Sequence, residues 1–252
     1  MLGKFRHRNY ELEHIDSGDY TPEEYEGCIA ELQLVNSWLG DAWTLRRTLL
    51  KHVSETELKC FSVLDVGAGS GQLLRVTAHW ARSADRKFSG VGIELNERSA
   101  EAIKEESASV CEIESVRGDA RFLPFGDGAF DFVICSLFTH HFVELEVINI
   151  LREMSRVARQ KLFVIDLHRH PVAYYLYTTV GKLILHNRLL REDGALSILR
   201  GFKRRELREL AQIAGLKDVT VSRHFPFRLV LIANSQRLKV TERPIRGAER
   251  AA

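Results

Sequence analysis

The 252 residues carry 36 Lys and Arg against 34 Asp and Glu, a net charge of +2 that selects neither a polyanionic nor an acidic partner. Apolar residues make up 45% of the chain, enough for one α/β domain with an appended segment, yet no run reaches the roughly 18 uninterrupted apolar residues of a membrane span. Cys28, Cys60, Cys111 and Cys135 lack C-x-x-C spacing, and residues 1–14 are charged where a secretion signal needs an apolar core, which argues against a zinc framework, a disulfide scaffold and export, and predicts a reduced, cytoplasmic protein without stable membrane insertion.

Thr21-Pro22-Glu23-Glu24 has the spacing of a capping box with proline at the first helical position. The helix it opens carries Tyr25, Cys28, Ile29, Leu32 and Val35 and ends near Gly40; Asp41 then caps a second helix with Trp43, Leu45, Leu49 and Leu50. These helices make residues 1–58 a helical N-terminal cap. From Ser62 onward strands and helices alternate, with strands expected at 62–66, 88–93, 112–117, 130–136 and 161–166. Helices are expected at 72–82, at 97–108 behind Asn96 as cap, and at 144–158, where Val147, Ile148, Leu151 and Met154 form one stripe. Such alternation builds a parallel sheet with right-handed crossovers. The partly apolar segment 171–200 interrupts it, a helix at 203–214 closes at Gly215, and strands at about 217–223 and 227–233 follow. Only His224-Phe225-Pro226 joins that last pair, too short a link for a crossover, so it is predicted antiparallel. The domain therefore spans 59–235 with a lid insertion at about 168–200. In 236–252, Arg237, Lys239, Arg243, Arg246 and Arg250 face only Glu242 and Glu249, the composition of a disordered basic tail.

The most informative run is Ser62-Val63-Leu64-Asp65-Val66-Gly67-Ala68-Gly69-Ser70-Gly71-Gln72. It reads as a strand, a tight turn that lets backbone approach a ligand, and the start of a helix. A dinucleotide fold wants G-x-G-x-x-G, whose third glycine here would fall on Gln72 or Leu74. The spacing is D-x-G-x-G-x-G, and an aspartate before the turn suits a cation such as an α-amino group better than a phosphate. In an open parallel sheet, ligands sit beyond the carboxyl ends of the strands. The second strand ends at Glu94, able to accept two hydrogen bonds from a ribose diol; the third ends at Gly118-Asp119-Ala120. The fourth ends at Cys135-Ser136 and runs into Leu137-Phe138-Thr139-His140-His141-Phe142. Asp131 opens the fourth strand and reads as structural.

These four strand ends resemble the class I S-adenosylmethionine-dependent methyltransferases, in particular the small-molecule branch that includes quinone-biosynthesis enzymes. The resemblance covers about 62–167 and, more loosely, the closing strands to 233. It implies a Rossmann-like, doubly wound seven-stranded sheet whose last pair is reversed, and S-adenosyl-L-methionine as cofactor. It further implies that Asp65, Gly67, Ala68, Gly69 and Gly71 hold the methionine part, Glu94 with Leu95 the ribose, and Asp119 with Ala120 the adenine. Backbone around Cys135 and Ser136 would complete the amino-acid pocket. The paired N-terminal helices, the Leu-Phe-x-His-His turn and the Asp-Leu-His-Arg element are similar to those of bacterial methyltransferases of phenolic polyketide type.

Methyl transfer to a neutral hydroxyl gains from a base, and histidine titrates in the useful range. His141 is the first candidate and His140 the second, because both follow the fourth strand. Asp166 is expected to cap the helix after the fifth strand; Asp166 or His168 facing the acceptor is the second reading. Residues 172–185, rich in aromatic and aliphatic side chains, read as a helix packed on the sheet or as a lid. In the second case they would enclose, with the segments around Trp38 and Trp43, an apolar aromatic or polyketide-like small molecule. No Asp/Asn cluster suggests a metal, and the oligomeric state stays open. A nucleic-acid methyltransferase is the alternative. It is disfavoured because Cys135-Ser136-Leu137-Phe138 stands where an Asn/Asp-Pro-Pro-aromatic turn would stack a flipped base, and because the core is not basic. A non-catalytic cofactor-binding module is the other alternative.

Overall fold

The computed structural model describes residues 3–21, 23–24, 27–28, 31 and 40–235. Seven strands form one sheet: β1 (Cys60–Val66), β2 (Lys87–Glu94), β3 (Ile113–Arg117), β4 (Phe130–Ser136), β5 (Ala158–Leu167), β6 (Lys217–His224) and β7 (Arg228–Asn234). Their spatial order is β3-β2-β1-β4-β5-β7-β6. The first five are parallel, and β7 runs antiparallel to both β5 and β6. The order reverses between β1 and β4, so the carboxyl ends of β1, β2 and β4 open onto one crevice.

Strand periodicity explains why both faces of the sheet must be covered. Phe61, Val63, Phe132, Ile134, Phe163, Ile165 and Val230 point to one side, where they pack with Leu45, Leu49, Leu50, Val53, Leu73 and Leu74. Leu64, Val66, Val133, Cys135, Leu162, Val164, Leu229 and Leu231 point to the other, against Val147, Leu151, Met154, Leu207 and Leu210. Because alternate residues serve alternate cores, β1, β4 and β5 read as nearly continuous apolar runs.

The helices, in chain order, are α1 (His14–Ser17), α2 (Asp41–Leu45), α3 (Lys51–Ser54), α4 (Gln72–Ser83), α5 (Glu97–Glu106), α6 (Glu144–Val157), α7 (Pro171–Ile184), α8 (Arg188–Arg200) and α9 (Arg204–Ile213). A π-helical turn, Arg46–Leu50, joins α2 to α3. Asn96 caps α5 by accepting from the amides of Arg98 at 2.9 Å and Ser99 at 3.4 Å, as its position before an apolar-periodic run predicts. Thr21 and Glu24 make the reciprocal bonds of a capping box, at 3.1 and 3.2 Å. Most of the helix expected beyond them, with Tyr25, Ile29, Leu32, Val35 and Trp38, lies outside the described residues, as does the tail 236–252.

Three expectations need correction. Asp41 does not cap α2; Gly40, at φ +82°, takes that place. The Asp41 carboxylate instead accepts from Arg228 Nε of β7 at 2.7 Å, both side chains being buried. β5 begins at Ala158, three residues before the expected position. The polar pair Arg159-Gln160 hid this extension; both reach Asp131 of β4, which also accepts from the Ser62 amide at 2.9 Å. The segment 171–200 is two helices: α7 is capped by the His170 ring on the Val172 amide, and α8 by Asn187 on the Leu190 amide.

Candidate active site

The glycine loop is fixed from β2. The Gly67 amide bonds to the Ile93 carbonyl at 3.0 Å, and the Gly69 amide to Glu94 Oε1 at 2.6 Å. Gly67 (φ +69°) also lies under the Phe138 ring, which would collide with any Cβ there; a Cβ on Gly69 (φ +58°) would meet nothing within 4 Å. One face of the loop is thus packed against protein, and the other opens onto the crevice.

Asp65, the penultimate residue of β1, is wholly buried, and its Oδ1 has no hydrogen-bond partner. Burial, with the Glu94 carboxylate adding to it, pushes the Asp65 carboxyl up to about 8. A buried acid that retains its proton for lack of a counter-charge is a receptor for a cation. The next strand end shows the same deficit: Ser136 Oγ is buried and unpartnered, one residue beyond Cys135, which pairs in register with Val66. Unsatisfied polar atoms of this kind are rare in a folded core and mark a ligand or ordered water. The residues present therefore fit an ammonium group carried by a polar ligand.

The Asp119 carboxylate accepts from the Arg121 amide and guanidinium, at 2.8 Å and at 2.7–3.1 Å, and those bonds hold it below its usual range. Arg121 is held in turn by Glu146 at 2.7 Å. Ala120 is buried beside Asp119, while Leu95 and Phe122 stand exposed. Glu94, half-buried at the end of β2, is raised mainly by burial, opposed by the Gly69 and Leu95 amides and by the nearby His141 ring.

That link to His141 brings the post-β4 turn into the same crevice. Leu137 turns at φ +50°, an unusual value for a bulky residue, with its amide on the Ile165 carbonyl at 2.9 Å. Phe138 then reaches both Gly67 and the Phe142 ring, 4.8 Å away, bracing the turn against the glycine loop. His140 Nδ1 lies 2.6 Å from Asp166 Oδ1; Asp166 Oδ2 accepts from Thr139 Oγ1 at 2.5 Å and from the His140 amide at 3.1 Å. Asp166 thus does not cap α7, but holds the histidine turn. Burial alone would raise its carboxyl, but His140, Thr139 and the Leu167 amide outweigh it and hold it at about 2. The His141 ring stacks 4.3 Å from His140. His168 sits outside this group, near His170 and Arg223, and burial depresses it to about 4. Trp43 is exposed, and the Arg47 guanidinium lies 4.5 Å over its ring.

Three buried arginines strap residues 5–13 across the histidine turn. Arg8 donates to the carbonyls of Arg200, His140 and Phe142 at 2.8–3.1 Å. Arg200 donates to the carbonyls of Glu11, His140 and His141 at 2.5–3.2 Å, and Arg169 to those of Phe5 and Gly201 at 3.2 and 2.6 Å. The strap delivers Glu13, whose Oε2 lies 3.9 Å from His141 Nδ1. Sequence reasoning missed Arg8, Arg200 and Glu13. The Arg8 bonds to the turn span 132 and 134 residues, so no local spacing could have flagged them.

Comparison with known proteins bears on the same strands. Residues 63–161 match the family described as "Methyltransferase domain". Over 101 residues the chain is 30% identical to the uncharacterized methyltransferase YcgJ of Bacillus subtilis, covering 39% of this chain and 36% of that one. Over 131 residues it is 29% identical to the demethylmenaquinone methyltransferase of Staphylococcus aureus, covering 50% and 52%. The chain thus spans about half or less of the length of these curated relatives. A crystal structure of a SAM-dependent methyltransferase from Aquifex aeolicus superposes with a TM-score of 0.56 at 19% identity, over 75% of this chain and 89% of that one, a likeness of fold. Among the described residues, no helix is long and apolar enough to cross a membrane.

Proposed function

We propose, from the premise that this chain carries a class I S-adenosylmethionine-dependent methyltransferase domain, that it transfers a methyl group to a hydroxyl of a small, apolar aromatic or polyketide-like acceptor. The observation that carries the reading is Asp65: a buried carboxyl with an unpartnered oxygen, beside a loop whose open face is Gly69. S-adenosyl-L-methionine, when bound, supplies an electrophilic methyl group on a sulfonium. Asp65 then takes the α-amino group as its counter-charge, and Gly67, Ala68, Gly69 and Gly71 leave room for the methionine chain. Ser136 Oγ and backbone at Cys135 complete that pocket. Glu94 and Leu95 take the ribose, and Asp119 with Ala120 the adenine.

On the acceptor side, His141 receives the hydroxyl proton. It is half-buried, and close enough to Glu94 for its charge to favour that carboxylate. His140 lies behind it, its Nδ1 fixed by Asp166, so the stacked pair presents its rings in one orientation. A positioned base of this kind contributes about 10²–10⁴-fold to a proton-coupled step. The hairpin of α7 and α8 serves as the lid: the Tyr177 hydroxyl donates to the Leu190 carbonyl, and Leu185, Leu189 and Leu190 form a cluster of their own with Cys28. Excluding water favours transfer to the acceptor over stray nucleophiles.

The test is calorimetry with S-adenosylhomocysteine, followed by a screen of phenolic acceptors. The expected results are binding and methyl-ether formation. His141→Ala should bind the cofactor product as the parent does and turn over about 10²–10⁴-fold more slowly. Undiminished turnover in that variant removes His141 as base, and absence of binding by folded protein removes the whole reading.

A further inference from the structure

Glu13, His140 and His141 come from segments far apart in sequence, yet one ligand atom of each lies within 4.8 Å of the other two. We propose that these three side chains form a site for a divalent transition-metal ion, and that the ion, when present, blocks the base. The blocking half of this inference rests on the methyl-transfer reading; the site itself does not.

The donor set is two imidazoles and one carboxylate, which suits Zn²⁺, Fe²⁺ and Co²⁺ better than Mg²⁺ or Ca²⁺. Its outer shell is in place. A metal-binding histidine ordinarily gives its second ring nitrogen to a carboxylate, and His140 Nδ1 is 2.6 Å from Asp166, which leaves Nε2 as its ligand atom. Glu13 is likewise oriented: Ser197 Oγ donates to its Oε1 at 2.8 Å, and Oε2 faces His141 Nδ1 at 3.9 Å. Both Glu13 and His140 are nearly excluded from solvent, while His141 is half-buried. Ligands about 2.1 Å from a common ion stand roughly 3–3.5 Å apart, so closing the cluster from 4.8 Å takes about 1.3–1.8 Å at the widest pair.

Two buried guanidiniums lie close by: Arg8 donates to carbonyls of the same turn and to Glu144 at 3.3 Å, and Arg200 donates to carbonyls of the turn with its Nε 3.9 Å from Glu13 Oε1. The carboxylates of Glu13, Asp166 and Glu144 outnumber them, so a dication is not opposed by net charge. The arginine bonds fix the backbone that carries both histidines. Metal binding requires neutral imidazoles, so the ion and the proton compete for the same nitrogens.

The experiment uses the full chain stripped of metal. Zn²⁺ is titrated by calorimetry, Co²⁺ by its visible absorption, and methyl transfer is followed against added Zn²⁺. The parent should bind one equivalent and lose turnover as that equivalent fills. Glu13→Gln should bind at least about tenfold more weakly and need correspondingly more Zn²⁺ to lose half of its own metal-free turnover, whatever that rate is. Thermal melting confirms that the variant folds. Equal affinity in parent and Glu13→Gln, or no binding to either, overturns the site; stimulation by stoichiometric Zn²⁺ overturns the block. If no acceptor is methylated, calorimetry and Co²⁺ absorption still decide the site, so the two readings fail separately.

Discussion

The crevice has two halves built by opposite means. The half around Asp65, the glycine loop and Glu94 is made by neighbours in sequence and in register: Asp65 pairs with Gly92 and Val66 with Ile93, and the Gly67 amide bonds back to Ile93. The half around His140 and His141 is assembled from β4, β5, the N-terminal strap and α8 through buried arginines and Asp166. The first leaves a carboxyl unpaired, waiting for a cation; the second pairs nearly everything it contains. A ligand is needed to complete the one, and folding alone completes the other.

The sharpest break between them should come from Asp65→Asn. The free protein holds a proton on Asp65 up to about pH 8, whereas in an unfolded chain the same group ionises near pH 4. Between those values the folded state binds the extra proton, so this group's contribution to stability falls as pH rises from about 4 to about 8 and is constant above. An arriving ammonium group reverses the preference and expels the proton. Calorimetry with S-adenosylhomocysteine at pH 7 in buffers of different ionisation enthalpy should therefore report release of about one proton by the parent. Asp65→Asn should release none, bind at least about a hundredfold more weakly, and lose the decline in stability between pH 4 and 8. Buffer-independent binding by the parent would mean that the carboxyl is already ionised and the cation receptor is misassigned.

Arg200→Met tests the second half. The side chain is 4% exposed and donates to three carbonyls, two of them in the histidine turn. Its loss takes the Arg200 donor from the Glu11 and His141 carbonyls, while the His140 carbonyl keeps Arg8, and leaves the buried Glu13 carboxylate without its guanidinium, costing about 3–5 kcal/mol by the precedent of broken buried pairs. Urea denaturation should show the loss. Turnover should fall with it, while S-adenosylhomocysteine affinity stays within about twofold, because none of these bonds reaches the glycine loop. A parallel collapse of cofactor affinity would show that the two halves are not separate.

The same division explains what was legible in the sequence. Alternation of strand and helix, the Asp65-to-Gly71 spacing and the acids at 94 and 119 are local signals, and they yield the parallel sheet and the strand ends that open onto the crevice. Asp41 and Asp166 were misread because the local rule for an aspartate before a helix is a cap. Burial supplied each with a stronger partner, Arg228 and the His140 turn, from across the chain. Arg8 and Glu13 lie in a segment without periodicity, and only the folded chain shows what they hold.

A smaller effect probes whether local signals act locally. Asn96 stands between Glu94, which binds the Gly69 amide, and α5, which packs on β2 and β3. Replacing it by Ala removes the acceptor for the Arg98 and Ser99 amides and should cost about 1 kcal/mol of stability. The cap is exposed, so water can take over both donors, and the penalty should stay well below that of Arg200→Met. Glu94 is anchored by the Gly69 amide rather than by the cap, so the ribose side should keep its shape. Asn96→Ala should accordingly lower the denaturation midpoint slightly and leave S-adenosylhomocysteine affinity unchanged. A tenfold loss of affinity would show that the start of α5, and not the glycine loop, positions the Glu94 carboxylate.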